Sequence, residues 1–152
     1  MANTYTQIYL QIVFAVQGRK SFIKEFFRGQ LQMYMSGIID NKKQKLYAIY
    51  CMPDYTHIFL SMLPDMAISD LVRDIKANSS SFLKKKKFGN AFSWQEGFGA
   101  FSYSKSQASR VVKYVLNQPE HHRKKTFKQE YLDFLNKFGI EYQEKYLFEF
   151  YD

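Results

Sequence analysis

Three features of the 152-residue sequence predict an α+β fold: a four-stranded antiparallel sheet with helices on one face and additional C-terminal helices. Apolar residues alternate along Ile8, Leu10, Ile12, Phe14 and Val16, the period of a strand. They recur at three-and-four spacing from Phe22 to Ile38 and from Ile68 to Phe82, the period of a helix with one buried face. The two periods follow one another as strand, helix, strand, strand, helix, strand. That order is the split βαβ, or ferredoxin-like, layout.

The first strand spans Gln7 to Val16, with Gln7 and Gln11 on the parity opposite the apolar residues, as in a half-buried strand. After the turn at Gly18, the first helix places Phe22, Ile23, Phe26, Phe27, Leu31, Tyr34, Met35 and Ile38 on one side, and the polar run Asp40 to Gln44 ends it. Lys45–Met52 and Thr56–Met62 read as two strands joined at Met52-Pro53-Asp54, where a proline without a backbone donor is tolerated. Ser69 is expected to open the second helix, which runs into Lys84-Lys85-Lys86-Lys87, cations that suit a helix C-terminus. A fourth strand with a glycine-relieved bend is expected over Ala91 to Tyr103.

Two more helices follow. Ser104 with Gln107, and Thr126 with Gln129, have the spacing of capping boxes. Pro119 separates these helices, and Gly139 stops the second. The aromatic tail from Tyr142 to Tyr151 is expected to pack as an extended arm. With no internal repeat and no long linker, residues 1–152 read as a single nucleic-acid-binding domain.

Lysine and arginine number 22 against 14 acidic residues, a formal net charge of +8, which favours a polyanionic partner. The single Cys51 excludes an internal disulfide, and Met1 to Thr6 has neither the basic region nor the apolar run of a signal peptide. A cytoplasmic protein is therefore expected. Ile8 to Val16 is about half the roughly 18 residues of a membrane span, so no membrane is expected among the partners.

Arg110, Tyr114 and Gln118 are spaced four apart, and on one helix from Ser106 to Gln118 they share a face, with His121 and His122 just beyond. From Lys105 to Lys128 the cations outnumber the one acid, Glu120, so a phosphodiester is drawn to this face. The plainer reading makes Tyr114 a half-buried aromatic and Gln118 a helix-end amide on a solvated basic surface. Residues 55 and 57 lie on one side of a strand, as metal ligands commonly do, although a lone strand histidine such as His57 is usually structural.

Three runs resemble successive signatures of the single-tyrosine HUH transposases of small single-strand insertion sequences, relatives of the REP-associated tyrosine transposases. They are Met52-Pro53-Asp54-Tyr55-Thr56-His57-Ile58-Phe59, Trp94-Gln95-Glu96-Gly97-Phe98-Gly99-Ala100-Phe101-Ser102 and Tyr114-Val115-Leu116-Asn117-Gln118-Pro119-Glu120-His121-His122. The resemblance runs from Tyr5 to the Tyr146-Leu147-Phe148-Glu149-Phe150 tail. It implies a homodimeric enzyme that cuts and rejoins single-stranded DNA through a 5′-phosphotyrosine and recognises terminal hairpins. It further implies that Tyr114 is the nucleophile, and that Gln118 and His57 hold Mg2+ or Mn2+. The family's first histidine falls at Tyr55, whose phenol has a reference pKa of about 10 and must lose a proton to bind metal. Water, Asp54 or a deprotonated Tyr55 are the candidates for that vacant position.

Arg110, Lys113, Lys84, Lys85, Lys86, Lys87, Arg123 and Lys124 are the expected DNA contacts, with a solvated surface as the alternative for the lysine run. Glu96 reads as tying down a bend. Phe92, Trp94, Phe98 and Phe101 either stack bases or fill the core. The alternative function is a hairpin-DNA-binding protein whose nuclease is impaired by Tyr55. An RNA-recognition module is a third reading, but it leaves the Tyr114/Gln118 face unexplained and lacks the aromatic signature expected on its strands.

Overall fold

The computed structural model describes residues 3–89 and 91–152, so Met1, Ala2 and Asn90 lie outside the described residues, the first two within the Met1–Thr6 segment. The alternating strand becomes β1 (Tyr9–Ala15), which pairs antiparallel with both β3 (Tyr55–Ser61) and β4 (Gly99–Tyr103). With β2 (Lys45–Cys51) on the far side of β3, the sheet order is β2-β3-β1-β4, the order of a split βαβ fold. Helices α1 (Glu25–Asn41) and α2 (Ile68–Lys85) pack together and cover the face that carries Leu10, Ile12, Phe14, Ile58 and Leu60.

The opposite face carries Gln11, Val13, Tyr55, His57 and Phe59, which the register sets side by side. Alternation along the first strand predicts half burial, yet Leu10 to Ala15 are all buried. The reason is a second layer: α3 (Ala108–Leu116), α4 (Gln118–Lys124) and α5 (Phe127–Lys137) cover this face, with Val111 and Val115 packed on Ala48 and Phe59. Five helices therefore enclose the sheet in an α+β architecture.

Several boundaries differ from expectation. Helix α2 begins at Ile68 behind Ala67, not at a Ser69 cap, and no side chain caps it. The fourth strand is confined to Gly99–Tyr103; upstream of it the chain meets β1 only through a Val16–Trp94 bridge. Glycine is required where β4 starts, because a Cβ on Gly99 would lie 2.7 Å from the Tyr131 hydroxyl. Phe92 and Phe101 are buried and Trp94 Nε1 donates to Ser79 Oγ, so these aromatics fill the core and offer no platform for bases. Glu96 is exposed in a bend held from below by Lys76 Nζ, which donates to the carbonyls of Gln95 and Gly97.

The expected continuous helix from Ser106 to Gln118 is broken at Asn117 (φ −103°, ψ 25°), and Pro119 sits in the first turn of α4 instead of dividing the last two helices. Proline is suited to that place, since the first-turn N–H groups have no helical acceptor. The Thr126–Gln129 capping box is present: Gln129 N donates to Thr126 Oγ1 and Thr126 N to Gln129 Oε1, at 3.2 and 3.0 Å. Helix α5 ends just before Gly139, whose φ of +65° is the left-handed stop. The aromatic arm closes over α5, with Phe148 and Phe150 against Phe127 and Tyr131.

Candidate active site

Strand β3 is buried on both faces, so its one histidine has to find partners inside the protein. Gln11 Nε2 donates to His57 Nδ1 at 2.9 Å, and the Tyr103 hydroxyl donates to Gln11 Oε1 at 3.0 Å. An amide nitrogen only donates, so Nδ1 accepts and Nε2 carries the proton that goes to Glu130 Oε1, at 2.9 Å. Glu130 projects from α5 beside Phe127 and Phe134 and is itself buried. Its second oxygen accepts a hydrogen bond from the Tyr114 hydroxyl.

Helix α3 brings Tyr114 to this point with its ring 6.0 Å from that of His57 and stacked on His121 at 4.3 Å. Gln118, fully buried at the start of α4, donates through Nε2 to the Tyr114 carbonyl. Its Oε1 accepts from the Tyr55 hydroxyl at 3.3 Å, and the same hydroxyl lies 3.3 Å from His122 Nδ1. The Tyr55 ring stacks face to face on Phe127, 4.0 Å between centroids. One chain thus gathers Tyr55, His57, Tyr114 and Gln118 around the carboxylate of Glu130.

Burial sets the charge states. It pushes the Tyr55 phenol far above its ordinary value, and the nearby Glu130 and Asp54 carboxylates push it further. Tyr114 is raised for the same first reason, and then by the charge and hydrogen bond of Glu130. Burial also opposes ionisation of Glu130, but the His57 imidazole and the bonds from Tyr114 and Gln118 outweigh it and hold the carboxyl below its usual range. Burial raises the Asp54 carboxyl. That carboxyl makes no hydrogen bond to His57 or Gln118.

Beside this cluster lies a cleft of about 210 Å³ lined by Tyr114, Glu130, Tyr103, Arg110 and Lys137, with Lys125 ion-paired to Asp133 on its wall. Arg110 and Lys113 are exposed on α3, and Lys124 is exposed on α4 beside Arg123, which pairs with Glu120 at 3.3 Å. Lys84 to Lys87 are exposed at the end of α2, across the sheet from Tyr114, so they do not share the cleft. Sequence reasoning set His122 just beyond the Tyr114 face but passed over Glu130, Gln11 and Tyr103 as site residues. The available signal was a polar residue on an apolar face: Gln11 within β1, and Glu130 between Phe127 and Phe134 on the buried side of α5.

The donor set decides whether these residues fit a divalent ion. Among the described residues no three His, Cys, Asp or Glu side chains cluster to hold a metal, so a cation here must draw on a carboxamide. His57 and Gln118 supply an imidazole nitrogen and a carboxamide oxygen next to a buried carboxylate, a set compatible with Mg2+ or Mn2+. Turning the Gln11 amide over would present Oε1 to His57 Nδ1 and free Nε2 of its proton, and Tyr103 can serve either orientation. The residues present fit such an ion.

The chain belongs to a transposase family, that described as Transposase IS200 like, which matches residues 4–118. Two solved structures share its fold. A candidate transposase from Deinococcus radiodurans R1 superimposes with a TM-score of 0.61 at 19% identity, covering 76% of this chain and 94% of that one. A REP-associated tyrosine transposase solved bound to a REP hairpin gives 0.60 at 15% identity, covering 79% and 72%. No curated protein matches the chain. Among the described residues no helix is long and apolar enough to cross a membrane.

Proposed function

We propose that this chain cuts and rejoins single-stranded DNA with Tyr114 as the nucleophile and that it binds the DNA as a hairpin. The carrying observation is that His57 on β3 meets Tyr114 and Gln118, far along the sequence from it, at one point beside a cleft that carries Arg110 and Lys137. Tyr114 Oη forms the bond to phosphorus, the bond from phosphorus to O3′ breaks, and the phenol proton is balanced by the one gained at the 3′-hydroxyl. The product is a 5′-phosphotyrosine, which keeps the bond energy for rejoining. Arg110 on the cleft wall draws the phosphate in and orients it against Tyr114, while Lys113 and Lys124 and Arg123 extend the positive surface outward. His57 and Gln118 would hold a Mg2+ or Mn2+ ion, which would supply neutralisation of the phosphate oxygens. The hairpin held by the REP-associated relative supports the choice of DNA.

One observation favours a second reading, a hairpin-DNA-binding protein with weakened cleavage. Tyr55, which the resemblance matches to the first histidine of the HUH pair, is stacked on Phe127 and held protonated. The experiment is incubation of the protein, Tyr114→Phe and Tyr55→His with single-stranded hairpin DNA and Mn2+, followed by a denaturing gel for covalent adduct. Adduct from the parent that vanishes in Tyr114→Phe establishes the tyrosine nuclease. Binding without adduct, restored in Tyr55→His, establishes the second reading.

A further inference from the structure

We propose that Glu130 is a ligand of the divalent-cation site, completing with His57 Nε2 and Gln118 Oε1 the set that Tyr55 leaves one short. The inference rests on the metal-dependent reading above and adds a residue outside the segment that matches the family, which ends at Gln118.

The geometry carries it. Glu130 is 5% exposed, and both carboxylate oxygens face the residues that a cation would join: Oε1 meets His57 Nε2 at 2.9 Å and Oε2 meets the Tyr114 hydroxyl. Gln118, which shares its Oε1 with Tyr55, is fully buried at the same point. A carboxylate on the apolar face of α5 has no packing role that a Leu or Met would not fill better. Among the described residues no lysine or arginine pairs with its charge; its partners are His57 and the Tyr114 hydroxyl. A hard dication suits an oxygen pair of this kind, and anionic ligands tighten such sites.

Tyr55 is ill placed for the same task. Its ring is clamped on Phe127, its hydroxyl is spent on Gln118 and His122, and as a ligand it would have to shed a proton inside the core. Asp54, the other candidate, is bonded to neither His57 nor Gln118. Glu130 also links the cation to the nucleophile. Its Oε2 accepts a hydrogen bond from the Tyr114 hydroxyl and keeps the phenol in place. A carboxylate that held a cation would be a weaker acceptor, so Glu130 would then hold the Tyr114 hydroxyl less tightly.

The test is Mn2+ binding to the full chain, read from loss of the aqueous Mn2+ signal in electron paramagnetic resonance, without DNA. The parent is expected to bind one Mn2+, Glu130→Gln to bind at least about tenfold more weakly, and Tyr55→Phe and Tyr114→Phe to bind like the parent. Circular dichroism melts show whether Glu130→Gln folds. Should it not, Glu130→Asp, which keeps the charge on a shorter arm, is expected to fold and to bind with intermediate affinity. Paramagnetic broadening in the unaltered chain must also fall first on the side-chain resonances of His57, Gln118 and Glu130. Parent-like binding by folded Glu130→Gln, loss of binding in Tyr55→Phe, absence of binding in the parent, or broadening that spares Glu130 overturns the proposal. The adduct gel separates this from the functional reading: Mn2+ binding through Glu130 without any Tyr114 adduct sinks the nuclease and leaves the site. Adduct formation with a Glu130-independent Mn2+ does the reverse.

Discussion

Tyr114 is a reluctant acid. Its hydroxyl is partly withdrawn from water and points at a carboxylate, so the phenolate form is opposed twice. The reactive fraction therefore rises with pH over the whole neutral range, and adduct formation is expected to increase from about pH 6 to about pH 9 without a plateau. A rate that levels off near neutrality would mean that the phenol ionises in the loaded site well below its ordinary value of about 10. Burial acts on Cys51 in the same direction, pushing its thiol up to about 12. Alkylation at about pH 8 is therefore expected only after unfolding, and rapid labelling of the native protein, followed by mass spectrometry, would contradict the buried position.

The elements decide which side chains meet. Helix α5 sets Glu130 opposite His57 because its first turn is pinned by Thr126 and Gln129 and its buried side by Phe127 and Phe134. Thr126→Ala is expected to cost about 1 kcal/mol, measured by urea unfolding, and to weaken Mn2+ binding as the helix start frays. An unchanged unfolding midpoint would show that the cap contributes nothing to α5. Helix α3 packs on β2 and β3 of its own chain, which puts Tyr114 beside His57 in cis. Mixing Tyr114→Phe with His57→Ala subunits is accordingly expected to give no adduct; restored adduct would mean that α3 is exchanged between protomers in a dimer.

At the scale of the whole molecule the net charge is +8, and cations stand on both sides of the sheet: Arg110 and Lys137 at the cleft, and Lys84 to Lys87 across from it. Hairpin affinity is expected to fall steeply with salt, and replacing Lys84 to Lys87 by alanine to flatten that slope by about 0.9 for each duplex phosphate that a lysine no longer neutralises. Adduct formation from saturating hairpin should stay at the parent level in that variant and fall in Arg110→Ala. A salt slope unmoved by the four alanines makes the lysine run a solvated helix end.

The sequence by itself determined the sheet and its two covering helices, because periods of two and of three-and-four are local and were legible at Ile8 to Val16, Phe22 to Ile38 and Ile68 to Phe82. It also marked Tyr114, His57 and Gln118, through short motifs of residues close along the chain. Boundaries were less legible: a cap at Ser69 and a strand from Ala91 are local guesses that packing overrode. Only the tertiary structure decided that a second helical layer buries the other face of the sheet, and that Glu130, Gln11 and Tyr103 converge on His57. Those residues lie on three different elements, and no spacing along the chain encodes an encounter between a strand and a helix that closes over it from the far end of the sequence. The polar side chain on an apolar face was visible. Its partner was not, because hydrogen bonding is satisfied in space.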